Sequence, residues 1–486
     1  MKRAFLLLGL AALAGCSLDP HYVRPVPAVP ASWPRGDAYL KASEAMLPTI
    51  TYRDVFRDPD LQAIIGQALA NNQDLRIALA NVESARALYR VQRAQLFPQI
   101  GVDGRVTTGR NTRSIQTGAG SGGGATSPGT SSATTTNYSV QGGVTAFELD
   151  LFGRLHSLSR AALQQYLATE AGSRAARLTL VGDIALAYLT LATNRSLLAI
   201  AIDTEASAQR SYDLTLARLH GGVAPRSDVR QAETILAQAQ SDRAAQVTLV
   251  AQGRNALELL AGGPIANALL PVAIERVDGS LAALPAGLDS RILLRRPDVV
   301  QAEYGLRAAN ARIGAARAAF FPTIGLTALA GFASTALTSL FTGNAFSWSV
   351  VPTATLPIFD GGANRGNLQY ARAQQQLATA QYQRAIQTAF REVADVLARQ
   401  GTIGDQFSAQ SRLEAAAQDA NTLEYARYRE GIDPFLNALD TQRTLYSARR
   451  AMAQARLTRA ENLVSLYQAL GGDTLVGDTA TPGPAA

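Results

Sequence analysis

Few residues in this chain are placed to do covalent chemistry. The three histidines, His21, His156 and His220, lie far apart and have no partners at metal-ligand spacing. No Gly-x-Ser-x-Gly turn presents a serine nucleophile. Cys16 is the only cysteine, which excludes an internal disulfide. Gly118, Gly120 and Gly123 satisfy Gly-x-Gly-x-x-Gly, but no strand feeds them, no helix leaves them and no Gly-Lys-Ser/Thr follows. A phosphate cradle needs that context, so the segment reads as a flexible loop tip. Aspartates and glutamates are spread along helical stretches at the density of a solvated face. The sequence therefore implies no enzyme, no metal and no cofactor.

The chemistry that remains belongs to Cys16. Lys2 and Arg3 precede an apolar run from Ala4 to Leu13, and Leu13-Ala14-Gly15 leads into the cysteine. A charged start, a short apolar core and small residues at its end make a secretory signal, too short to span a bilayer. Its ending resembles the lipobox of bacterial lipoproteins, in which Cys16 is acylated and becomes the first mature residue. Ser17 follows, where aspartate would mark inner-membrane retention, so the expected destination is the outer membrane. The net charge of +7 comes from arginines scattered along helices. No basic cluster alternates with aromatics, which argues against a nucleic-acid partner.

The elements that carry these residues occur twice. Ala94-Gln95-Leu96-Phe97-Pro98-Gln99-Ile100-Gly101 returns as Ala318-Ala319-Phe320-Phe321-Pro322-Thr323-Ile324-Gly325. Proline ends a helix and makes the preceding residue extended, so each copy is a helix turning into a strand. Gly222-Val223-Ala224-Pro225 returns as Gly431-Ile432-Asp433-Pro434. Two copies of strand, turn, strand, long helix, turn and helix make the whole protein.

After Pro98 the period becomes that of a strand: Ile100, Val102, Gly104 and Val106 face one way, Asp103 and Arg105 the other. Tyr138, Val140, Gly142, Val144 and Ala146 repeat the pattern, as do Ile324, Leu326, Ala328, Ala330 and Phe332. Strands of this kind suit a position between lipid and a wet lumen. The loops between them, 109–137 and around 339–344, are expected outside the cell. No proline interrupts Phe152 to Leu219 or Gly362 to Arg429, so each is expected to be a helix on the order of 100 Å long. Turns at His220-Gly221-Gly222 and Glu430-Gly431 then reverse the chain. Leu436, Asp440 and Arg443 follow at spacings that share one helix face. On spacing alone they read equally as an Asp440–Arg443 surface pair beside a packed leucine.

The lipobox, Phe-Glu-Leu-Asp-Leu-Phe-Gly-Arg at 147–154, Leu-Leu-Arg-Arg-Pro-Asp-Val at 293–299 and Leu-Asp-Thr-Gln-Arg at 439–443 resemble the outer membrane factors of tripartite efflux systems. The resemblance is to the NodT-type lipoproteins that serve resistance-nodulation-division (RND) pumps. It implies an α+β membrane protein with an internal repeat: a homotrimer whose outer-membrane β-barrel takes four strands per chain and continues as a long periplasmic α-helical barrel. It implies a passive exit duct joined to a periplasmic adaptor and an inner-membrane RND transporter, with Leu436, Asp440 and Arg443 at the periplasmic constriction. Gly221, Gly222, Val223, Gly431 and Ile432 would be the helix tips that meet the adaptor. Independently, four strands cannot close a barrel, and open edges are not viable in lipid, so several chains must contribute. A type I protein-secretion duct and a non-conducting lipoprotein tether are the alternatives.

The expected division is a signal peptide (1–15), a lipid-anchored tether (16–60), first-repeat helices (61–98), a first transmembrane hairpin (99–149), and a long helix with its return (150–262). An equatorial linker (263–288), a second-repeat helix (289–322), a second hairpin (323–358), a second long helix with its return (359–472) and a flexible tail (473–486) complete it.

Overall fold

The computed structural model describes residues 18–26, 29–30, 51–114, 130–281 and 290–472. The signal peptide, Cys16, the tip of the first hairpin loop and the tail lie outside the described residues. The chain divides into two compact units: Met1–Arg24, Ala85–Tyr166 and Gly305–Ala378 form one, and Pro25–Ser84, Leu167–Tyr304 and Thr379–Ala486 the other.

The first unit holds a four-stranded antiparallel sheet in the order β1 (Ile100–Ser114), β2 (Thr130–Leu149), β3 (Thr323–Ser334) and β4 (Phe346–Thr355). β1 and β2 extend further into the first loop than the sequence suggests. Register places Val102, Gly142, Ala330 and Trp348 in one cross-strand row, and Gly104, Val140, Phe332 and Phe346 in the next. The intervening row, on the opposite face, is Asp103, Gln141, Gly331 and Ser347. One face is thus apolar across all four strands, and the other carries the polar residues together with Leu329 and Val351. The expected alternation fails at one point. A bulge shifts the β2–β3 register between Val144 and Phe147, and Ala146 takes φ 58°. Ala146 therefore leaves the apolar row, and Phe147 and Leu149 take its place opposite Leu326 and Ile324. A one-residue slip would otherwise turn both to the polar face.

The helices follow the repeat. α1 (Tyr52–Val55), α2 (Pro59–Asn71) and α3 (Gln73–Ala94) precede the first hairpin, and α4 (Arg154–His220) and α5 (Arg226–Ala261) follow it. α6 (Ile274–Val277) and α7 (Pro297–Ala318) lead to the second hairpin, and α8 (Ala363–Arg429) and α9 (Phe435–Ala469) complete the chain. α4 and α8 are each 67 residues, about 100 Å of helix. An acidic side chain caps each: Asp150 accepts from the His156 backbone at 2.7 Å, and Asp360 from the Gly362 and Asn364 backbones at 2.8 Å. These carboxylates occupy the positive ends of the two longest helix dipoles. A stretch of α4 is apolar enough to cross a membrane, but more than half of it is buried inside the chain.

In the second unit Ile64, Ile184, Tyr188, Leu257, Ile274 and Tyr467 form one core. One expected boundary moves. Tyr52, Val55 and Phe56 are core residues, so the tether ends before residue 52. Within 263–288, Ile265, Leu270, Ile274 and Val277 join the core, and Arg459 forks onto the buried Asp278. Arg296, from the Leu-Leu-Arg-Arg-Pro-Asp motif, is buried between helices. Its guanidinium donates to Asp298 and Glu392 at 2.9 and 2.8 Å and to the Ala469 carbonyl at 2.9 Å. Burial works against its charge, but the two carboxylates more than offset it and hold its pKa above the usual arginine range.

Candidate functional site: the helix tips and the start of α9

Both long helices end in the same way. Gly222 and Gly431 take φ 74° and 80°, and the next amides, Val223 and Ile432, return to the carbonyls of Arg218 and Arg427 at 3.0 and 2.9 Å. This is the glycine-terminated helix end that the left-handed region allows. Gly221 lies beside Gly222, and Val223 and Ile432 project from the tips, 78% and 63% exposed. Pro225 and Pro434 then cap α5 and α9.

The two tips differ in one residue that redirects an arginine. In the second, Arg427 pairs with Asp433 and holds that carboxyl below the usual carboxylate range. Ala224 stands at the matching place in the first tip. Arg218, the counterpart of Arg427, instead reaches the second tip and donates to the Tyr428 and Arg429 carbonyls at 2.8 and 3.1 Å. The buried Tyr428 hydroxyl meets Thr215 Oγ1 at 2.9 Å, and its ring packs 5.3 Å from Phe435. Sequence reasoning missed this clasp. The Ala224/Asp433 difference was the available signal.

Leu436, Asp440 and Arg443 share the exposed face of α9, while Phe435, Ala438 and Leu439 are buried on the other. No Asp440–Arg443 ion pair forms among the described residues, and Leu436 is 61% exposed rather than packed. The bland reading of the trio therefore loses both its parts. Asp440 and Arg443 line a cleft of about 470 Å³ with Ile235, Ala239, Asp242 and Tyr446. The Tyr446 hydroxyl donates to Asp242 at 2.7 Å, and burial with that hydrogen bond pushes its pKa up to about 12. Leu436 and the tip residues do not line this cleft. Among the described residues no group of three His, Cys, Asp or Glu could hold a metal.

Comparison with known proteins places this arrangement. Residues 64–263 and 288–472 match the outer membrane efflux protein family. The toluene efflux pump outer membrane protein TtgI of Pseudomonas putida is 44% identical, over 96% of this chain and 97% of its own. OprJ of Pseudomonas aeruginosa is 39% identical, over 96% and 95%. Among solved structures, the open-state Neisseria gonorrhoeae MtrE outer membrane channel superimposes with a TM-score of 0.82 at 35% identity, covering 94% of this chain and 99% of that one. A two-faced four-stranded sheet and paired 67-residue helices are thus the parts of an outer-membrane channel for efflux, not of an enzyme: the chain belongs to the outer membrane efflux protein family.

Proposed function

We propose that this chain forms a homotrimeric exit duct that conducts drugs or other small molecules passively across the outer membrane. It receives them from an inner-membrane RND transporter through a periplasmic adaptor. The observation that carries the reading is the sheet: apolar rows on one face, the polar residues on the other, and two edges, β1 and β4, without a partner strand among the described residues. Such edges are tolerated in lipid only when closed. Three chains give twelve strands, an even number within the usual range. The repeat supports the same closure. α7 lies against α4, with Gln301 at Gly172 and Ser157 at Gly314, whereas its copy α3 leaves Ile77, Leu79, Leu88 and Val91 exposed. The α8 of a neighbouring subunit is the corresponding partner.

Gly221, Gly222, Val223, Gly431 and Ile432 make up the adaptor-facing tips. Leu436, Asp440 and Arg443 form the constriction, where three Asp440 carboxylates favour cations. Cys16 carries the lipid. Cysteines placed along β1 and along β4, combined pairwise in a Cys16→Ser background, test the closure. Disulfide-linked trimers on a non-reducing gel are expected; pairs that yield only monomers overturn it.

A further inference from the structure

The sequence makes the residues after Cys16 a free tether, yet four of them, Leu18, Asp19, Pro20 and Tyr22, are held by contacts with helices. Asp19 accepts from Ser157 Oγ and from Arg160 Nη1, each at 2.5 Å, and its side chain is 8% exposed. The Leu18 carbonyl accepts from Arg317 at 3.0 Å and the Pro20 carbonyl from Asn310 at 2.7 Å. The Arg307 guanidinium stands 5.0 Å from the centre of the Tyr22 ring. Ser157 and Arg160 belong to α4, in the first copy of the repeat; Asn310, Arg317 and Arg307 belong to α7, in the second.

The seat has a floor made by one glycine. A methyl on Gly314 would lie 1.7 Å from Asp19 Oδ1 and 2.8 Å from Ser157 Oγ. Aligning the copies on their Phe-Pro pairs sets Arg90 opposite Gly314, and aligning α4 with α8, two helices of equal length, sets Gly366 and Gln369 opposite Ser157 and Arg160. The second copy thus lacks the glycine on the short helix and both the serine and the arginine on the long one. The copies have diverged where the N-terminal segment sits.

We propose that the slot between α4 and α7 is a binding site for the chain's own segment Leu18–Tyr22, keyed by the Asp19 carboxylate, and that it staples the two repeats together at the foot of the sheet. Three residue steps, at most about 11 Å of extended chain, separate Asp19 from Cys16. With Cys16 acylated as proposed above, the seat turns a loose lipid tether into an anchor fixed beside the barrel.

Chymotrypsin cleavage after Tyr22 in the full-length purified protein tests this, because cleavage of a seated segment follows its open population. Asp19→Asn and Gly314→Ala should each speed cleavage by roughly tenfold, the scale of one charge-assisted hydrogen bond. The Cys16→Ser protein, exported by another signal peptide, should stay as resistant as the parent. Cleavage rates unchanged by both slot variants would overturn the site. Loss of resistance in Cys16→Ser alone would also overturn it, since the acyl group and not the slot would then hold the segment. Mass spectrometry showing no acyl group on residue 16 would remove the anchoring consequence and leave the cleavage result standing.

Discussion

The guanidinium of Arg218 lies 4.4 Å from the centre of the Tyr428 ring and donates to that residue's own carbonyl. One side chain thus stacks on a tyrosine and closes the C-terminal end of α8, joining the two hairpin tips. Removing it leaves the last carbonyls of α8 to water and frees Tyr428. Arg218→Ala should cost about 1–2 kcal/mol locally. Hydrogen exchange across 426–435 should rise several-fold while the core around Tyr188 stays protected.

Gly222 and Gly431 turn the tips through the left-handed region, where a side chain is strained. Alanine at either should cost about 1 kcal/mol and displace Val223 or Ile432. The expected outcome is weaker binding of purified adaptor with normal membrane insertion. Adaptor affinity measured against the parent checks it.

Arg296 ties α7, α8 and the end of α9 with four hydrogen bonds. Arg296→Ala leaves the Ala469 carbonyl and two acids without it, and should lower stability by about 2–3 kcal/mol. Lysine cannot reproduce the fork and should recover only part of that. Thermal unfolding of the three proteins gives the order.

The long elements were legible in the sequence because their signals are local. Phe97-Pro98 and Phe321-Pro322 end helices by sterics, Gly222 and Gly431 end them by φ, and the alternation after each Pro sets the strand faces. The rest depended on partners distant in sequence. Nothing near Ala146 marks the bulge, which exists to keep Phe147 and Leu149 in register with β3. Asp19 finds Arg160 and Gly314 only in three dimensions. The trio on α9 was legible as a face, but its exposure was not, because spacing permits an Asp440–Arg443 pair that does not form.

Asp183 and Glu461 have pKa values raised by burial, opposed at Glu461 by Arg399. Their protons are held in the folded chain at pH values where the unfolded chain has released them. Stability from these two groups should therefore fall as pH rises from about 4 through their shifted values. Asp183→Asn with Glu461→Gln should flatten the pH dependence of the unfolding temperature between pH 4 and 7. An unchanged slope would assign it to other groups.

Single-channel recording in planar bilayers tests the central claim, a passive duct narrowed at the start of α9, most directly. The parent trimer should give discrete, cation-preferring conductance steps. Leu436→Ala with Asp440→Ala and Arg443→Ala should enlarge the steps and weaken the preference. Assembled, membrane-inserted protein that passes no current in either form would contradict the duct, and equal conductance and selectivity in the two would contradict the constriction.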